Sequence, residues 1–307
     1  MKSRLAHYLP CLQWAVTYDR HAASRDSLAA VIVTLMLIPQ SLAYALLAGL
    51  PAITGLYASI LPLIAYTLFG TSRTLSVGPV AVISLMTAAA LGPLFVAGSA
   101  EYAGAALVLA LLSGVLLLAM ALLRLGFLAN FLSHPVISGF ISASAILIAL
   151  SQLKHILGIR VEGDNAAVLL FRLLQGLPQT HLPTLAIGGA SLLFLYLSRR
   201  HLSSWLGALG LAPRYADSLG KIGPIVALLA SIMLVSALDL TTAGVQVVGI
   251  VPQGLPSISL PTLDLDLLQQ LLPAALLLSL VGFVESVSVG QTLAAKRRER
   301  IEPNQEL

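Results

Sequence analysis

Glu285 is the one acid well inside an apolar stretch, with no Lys or Arg between Lys221 and Lys296 to neutralise it. A full charge at the centre of a membrane span costs about 2.5–3.5 kcal/mol even on the mildest scale. A carboxyl there can stay neutral, bonded to a neighbouring helix, or it can load and release a proton and so offset the charge of an anion bound beside it. Ser286 and Ser288 place hydroxyls close to it. Gln40 and Tyr44 are four residues apart in another apolar stretch, hence on one face of a helix. Pro39 bends that helix and frees a carbonyl nearby. An amide and a phenol at membrane depth need partners or a wet cavity. They serve either as glue between helices or as neutral donors to an anion's oxygens.

The third constellation is backbone rather than side chain. Thr71 to Pro79, TSRTLSVGP, is a mostly polar stretch wedged between two apolar ones, and Gly78-Pro79 opens the segment that follows. Proline suits a first helical turn, where its missing N–H would have had no partner. The free amides of Val80, Ala81 and Val82 would then face a cavity, with the positive end of the helix dipole behind them. That makes an anion site without a charged side chain, or simply a proline start to a short helix. Arg73, at the approach, could steer anions or anchor the loop to lipid headgroups. Ser84 and Thr87 lie on the same segment, but membrane Ser and Thr usually bond their own backbone.

These residues need a membrane to position them. Charged residues are 10% of the 307, apolar ones 58%, and mean hydropathy is +0.93. Soluble domains carry roughly 25% charge, so the composition belongs to an all-α integral membrane protein. Apolar windows predict eight crossings: 27–48, 54–70, 79–92, 104–124, 134–153, 183–198, 222–239 and 272–293. The third, from Pro79 to Leu91, spans only about 20 Å at 1.5 Å per residue, against a hydrocarbon core of about 30 Å. Irregular backbone at that depth must be buried in protein or face water. A broken helix opening into a cavity is how secondary transporters hold anions.

Placing the N-terminus inside puts 14 of the 17 Lys and Arg residues on one side of the membrane. Both termini are then cytoplasmic, as in a multi-pass protein of a bacterial inner membrane. This asymmetry explains the net charge of +4 without nucleic acid, and the LysArgArg-x-Arg cluster from Lys296 meets anionic lipid. The reading divides the chain into a cytoplasmic segment 1–26, a transmembrane domain 27–293 and a basic cytoplasmic tail 294–307. The first apolar run, Ser27 to Leu50, is too long for a signal-peptide core and reads as a retained span. Val161 to Gln175 carries an apolar stripe and reads as an interfacial helix, and Val248 to Pro261 as an extended external loop. One cysteine, Cys11, excludes an intrachain disulfide, and no two of the six histidines pair at ligand spacing. No metal or cofactor is expected. No nucleophile–base pair or phosphate loop points to an enzyme.

Five strings together resemble the sulfate permease (SulP) family of anion transporters. They are IPQSLAYALLAGLP (38–51), GLYASILPLIAYTLFGTSRTLSVGPVAVISLM (55–86), LSHPVISGF (132–140), VVGIVPQGLPS (247–257) and FVESVSVGQTLAAK (283–296). The resemblance implies fourteen membrane segments in two inverted repeats of seven, usually followed by a cytoplasmic STAS domain. It implies a substrate held between the N-termini of two half-helices, the third and tenth segments. On that alignment the chain holds the first repeat and one helix of the second. Secondary active transport of an inorganic anion is then expected of the complete protein, with a non-transporting fragment or accessory chain as an alternative. The resemblance places substrate contacts on Gln40 and Tyr44 and a pocket-lining position, often aromatic, on Val80. The Glu-Ser-x-Ser pattern at 285–288 is similar to proton-coupled sulfate members, which implies sulfate and a proton as partners. Bicarbonate, chloride or dicarboxylate exchange and sodium symport are the alternatives. The family is commonly dimeric, partly through the STAS domain, which leaves dimerisation by this chain open.

Overall fold

The computed structural model describes residues 9–16, 18–128, 134–161, 166–208, 223–249, 254, 264–297 and 301–307. Among the described residues every regular element is helical: α1 (Cys11–Ala15), α2 (Arg20–Leu47), α3 (Ala52–Phe69), α4 (Ala81–Leu91), α5 (Ala100–Leu122), α6 (His134–Leu157), α7 (Ala166–Gly176), α8 (Leu182–Ala208), α9 (Gly223–Ala237) and α10 (Leu265–Arg297). Single 3-10 turns follow α5 at Leu125–Phe127 and α7 at Leu177–Gln179.

Each apolar window carries a helix. Arg20–Leu47, Ala52–Phe69, Ala100–Leu122, Leu182–His201 and Leu265–Ala295 are long and apolar enough to cross a membrane. Ala81–Leu91, Ala145–Leu157 and Gly223–Ala237 are apolar but shorter. Helix ends depart from the windows where polar caps extend them. Asp19 caps α2, its Oδ1 accepting from the Ala22 amide at 2.6 Å, so the helix starts seven residues before the apolar run. Asp264 accepts from the Asp266 amide at 3.2 Å and Asp266 sits in the first turn of α10, where an acid suits the helix dipole. That helix runs on to Arg297, into the stretch expected as tail. The loop expected over 248–261 falls largely outside the described residues.

The chain divides into two units. The first comprises Met1–Ala29, Leu37–Ser142 and Val251–Leu307. Its core joins α4, α5 and α10 through Leu91, Tyr102, Ala105, Val108, Leu109, Leu271, Ala275 and Leu278. Without water to drive apolar association, helices in lipid gain most from close approach, and small residues permit it. Ala105 and Ala275 are small, and the Ser113 and Ser279 hydroxyls meet at 2.8 Å across the α5–α10 seam. A second cluster of Met120, Phe283 and Val287 is covered by Ile301 and Leu307, so part of the expected tail is packed structure. The second unit comprises Ala30–Met36 and Ala143–Ile250. There the later part of the stretch 161–175 is helical as α7, with Leu169 and Leu173 buried in a cluster with Ile159. Nε2 of His181 lies 2.8 Å from the Ala243 carbonyl and Nδ1 2.8 Å from the Thr184 hydroxyl, tying the start of α8 to the turn after α9.

Candidate anion site

The break before α4 is extended backbone. Val80 is the N-cap with φ −126° and ψ 145°, and no side chain caps the helix. The first turn closes when the Ser84 amide bonds the Val80 carbonyl at 3.0 Å. Pro79 therefore lies one residue before the N-cap rather than in the first helical turn, a correction to the sequence reading. A ring-locked φ near −65° fits extended chain as readily as helix, and β-branched Val80 is comfortable extended. The shift leaves four amides without helical partners, those of Val80, Ala81, Val82 and Ile83. Ile83 was missed because its place in the first turn follows from where Val80 stops. The helix has 11 residues and is only about 16 Å long.

Gln40 and Tyr44 meet each other: the Gln40 Nε2 donates to the Tyr44 hydroxyl at 3.1 Å. That leaves the Gln40 carbonyl, its second N–H and the phenol proton available. Leu37 shares their helix face, three and seven residues back, and its Cδ1 lies 3.6 Å from where a Cβ on Gly78 would stand. The face that carries Gln40 and Tyr44 thus borders the break before α4.

Contact with a neighbouring helix falls to a different residue. Ser41 is fully buried, and its hydroxyl meets that of Ser59 on α3 at 2.6 Å. Ser59 in turn donates to the Gly55 carbonyl at 2.8 Å. A lone serine in an apolar run gave no sign of this in the sequence.

α10 packs against α4. A Cβ on Gly282 would lie 3.7 Å from Ile83 Cδ1, in the first turn of the short helix. Glu285 follows one turn later, half-buried, and its Oε2 is buried with no hydrogen-bond partner. The Ser288 hydroxyl donates to the Val284 carbonyl at 2.6 Å, so its proton is used within its own helix. Ser286 is half-buried beside it. Thr87 likewise bonds the Ile83 carbonyl at 2.8 Å. Arg73 is exposed. Uncapped amides thus open the short helix, and a neutral polar pair shares a helix face with Leu37 beside the break. An unbonded carboxyl oxygen lies one turn along α10 from Gly282, which packs on Ile83. Such a set can bind an anion through dipoles and balance its charge with a proton.

The family model for the sulfate permease family matches residues 24–307. The chain is 37% identical over 300 residues to sulfate transporter 4.1, chloroplastic, of Arabidopsis thaliana, covering 97% of this chain and 42% of that protein. It is 37% identical over 290 residues to a probable sulfate transporter of Mycobacterium tuberculosis, covering 94% and 49%. Among solved structures, SLC26A9 superposes with a TM-score of 0.85 at 25% identity, over 99% of this chain and 49% of that one. The transmembrane domain of the cyanobacterial bicarbonate transporter BicA shares the fold, with a TM-score of 0.73 at 22% identity over 94% and 70%. The chain spans about half the length of the curated relatives it matches. With its broken α4, its helices and this match across residues 24–307, the chain belongs to the sulfate permease family.

Proposed function

We propose that the full-length protein is a secondary transporter that carries sulfate together with a proton. The observation that supports it most is Glu285. Its Oε2 is buried and unbonded, one turn along α10 from Gly282, which packs on the first turn of α4. In this reading the amides of Val80, Ala81, Val82 and Ile83 hold two sulfate oxygens, and Gln40 and Tyr44 donate to the others. Protonation of Glu285 lowers the negative charge of the loaded site, and its release on the cytoplasmic side frees the anion. Sulfate is chosen because two of the relatives carry that name. The location in this reading is a bacterial inner membrane, and the distribution of Lys and Arg supports both termini being cytoplasmic.

The test is uptake of labelled sulfate into proteoliposomes holding the full-length protein. An inward proton gradient should drive accumulation and an equal sodium gradient should not. Uptake driven by sodium, or by counter-anion alone, would replace symport with the second reading. One feature favours that second reading: none of Gln40, Tyr44, Val80, Ala81, Val82 and Ile83 carries a charge. A dipole site of this kind does not by itself choose among small anions. Competition by unlabelled bicarbonate, chloride and a dicarboxylate separates the two.

A further inference from the structure

The stretch leading to α4 is held at its far end by a carboxylate that the transport reading does not use. Glu306 accepts three hydrogen bonds from neutral donors. Its Oε2 takes the Tyr66 hydroxyl at 2.7 Å, and its Oε1 takes the Thr71 amide at 3.0 Å and also the Thr71 hydroxyl. Tyr66 lies in the last turn of α3 and Thr71 is the first residue past Gly70. One carboxylate therefore closes the exit of α3 onto the start of the polar stretch. An ionised carboxyl bonded this way binds its donors about twice as strongly as a neutral acceptor would.

The rest of segment 301–307 reinforces the clamp. Gln305 Nε2 donates to the Phe69 carbonyl at 3.1 Å, and the Glu302 amide lies 3.4 Å from the Thr71 hydroxyl. Asn304 Oδ1 accepts from the Gly126 amide at 2.9 Å, and Ile301 and Leu307 pack on Met120, Phe283 and Val287. The segment is thus anchored on α5 and α10 while it grips Thr71. From Thr71 the chain is pinned in steps. Ser72 Oγ accepts from the Leu75 amide at 3.2 Å. Leu75 lies 3.9 Å from where a Cβ on Gly290 would stand, and Gly78 rests beside Leu37. Two residues later Val80 caps α4.

We infer that Glu306 is a positioning residue for the anion site: its carboxylate fixes Thr71, and through the 71–80 stretch it sets where the amides of Val80 to Ile83 point. This rests on the reading of α4 as the anion site. Dipolar anion binding is steep in geometry because the charge on each amide is partial and fixed in direction. Freeing the stretch at Thr71 lets the helix start shift without unfolding the core that α5 and α10 form.

The experiment is sulfate uptake by the full-length protein, with KM and maximal rate per folded transporter measured separately. Glu306→Ala should raise KM about tenfold, equivalent to about 1.4 kcal/mol, with the maximal rate far less affected. Glu306→Gln keeps acceptors for Thr71 and a partner for Tyr66, so its KM should lie between wild type and Ala. Tyr66→Phe and Thr71→Val each remove one donor and should raise KM about threefold. If Glu306→Ala does not fold, these two variants carry the test. Less folded protein with KM unchanged in all variants overturns the inference, as does a Gln variant as impaired as Ala. Those results leave anion transport by the wild type standing. Wild type that neither takes up nor binds any inorganic anion overturns the functional reading and this inference with it.

Discussion

Gly55 and Ser41 bring α2 and α3 into backbone contact: a Cβ on Gly55 would fall 1.9 Å from the Ser41 carbonyl oxygen. Because Ser59 donates its one proton to the Gly55 carbonyl, the 2.6 Å bond between the two serines has Ser41 as donor. The two helices meet through backbone first and hydroxyls second. Gly55→Ala forces them apart and should cost more than about 2 kcal/mol, whereas Ser41→Ala removes one interhelical bond worth about 0.6 kcal/mol. Thermal unfolding in detergent, followed by size-exclusion chromatography, checks both. Equal stabilities for the two variants would contradict the contact.

The Gln40–Tyr44 pair makes a second prediction. Tyr44→Phe removes the phenol proton and frees the Gln40 amide, which should raise the sulfate KM about three- to tenfold, as expected for one lost hydrogen bond. Gln40→Leu removes carbonyl and amide together and should be worse. Direct binding of labelled sulfate to purified full-length protein reads this without the transport cycle. Unchanged affinity in both variants would move the anion away from this face of α2.

For Glu285 the direction with pH can be worked out. If a proton enters with the anion, lowering the outside pH raises both the driving force and the fraction of loaded carboxyl, so wild-type uptake rises as outside pH falls. Glu285→Gln carries a fixed neutral group. It should retain exchange of sulfate for sulfate but lose accumulation driven by a proton gradient, giving a flat pH profile. A variant that still concentrates sulfate against its gradient under inward proton drive rules out Glu285 as the coupling residue.

Gly126 makes a prediction about the packed segment that is independent of transport. A Cβ there would stand 2.5 Å from Asn304 Oδ1 and 2.6 Å from the Asn304 nitrogen. Gly126→Ala should therefore lift residues 301–307 away and expose the Thr71 amide, now bonded to Glu306 at 3.0 Å. Hydrogen exchange should speed up at Thr71 and across 301–307, while the α5–α10 core around Ala105 and Ala275 keeps its protection.

Much of this architecture was legible in the residues because lipid makes helices announce themselves. Every apolar window from 27–48 to 272–293 holds a helix, and the shortness of the third followed from counting residues between Pro79 and Gly92. What the windows could not give were ends built from polar groups. Asp19 and Asp264 extend α2 and α10 through residues that no hydropathy window counts. α4 begins at Ala81, with Val80 rather than a residue before Pro79 as its N-cap, because the ring-locked φ of Pro79 suits extended backbone as well as helix. The polar side chains of the candidate site stand out in the sequence as misfits in apolar runs, which is why Gln40, Tyr44 and Glu285 are its candidates. Ser41 and Glu306 do not stand out. Their partners lie 18 and more than 200 residues away, and a serine in a span or a glutamate after one is unremarkable alone.

The brevity of α4 also has an electrical side. Lipid insulates across about 30 Å, but a helix of 11 residues bridges only about 16 Å of it. Where water reaches both ends of such a helix, the transmembrane voltage falls over roughly half the usual distance, and the local field is about twice that in the surrounding bilayer. Each elementary charge crossing that drop exchanges about 2.3 kcal/mol with a 100 mV potential. Under the proposed function, a divalent anion at the first turn of α4 would feel membrane voltage as well as concentration, and the number of protons carried with it would decide whether the cell's potential pulls it in or holds it out.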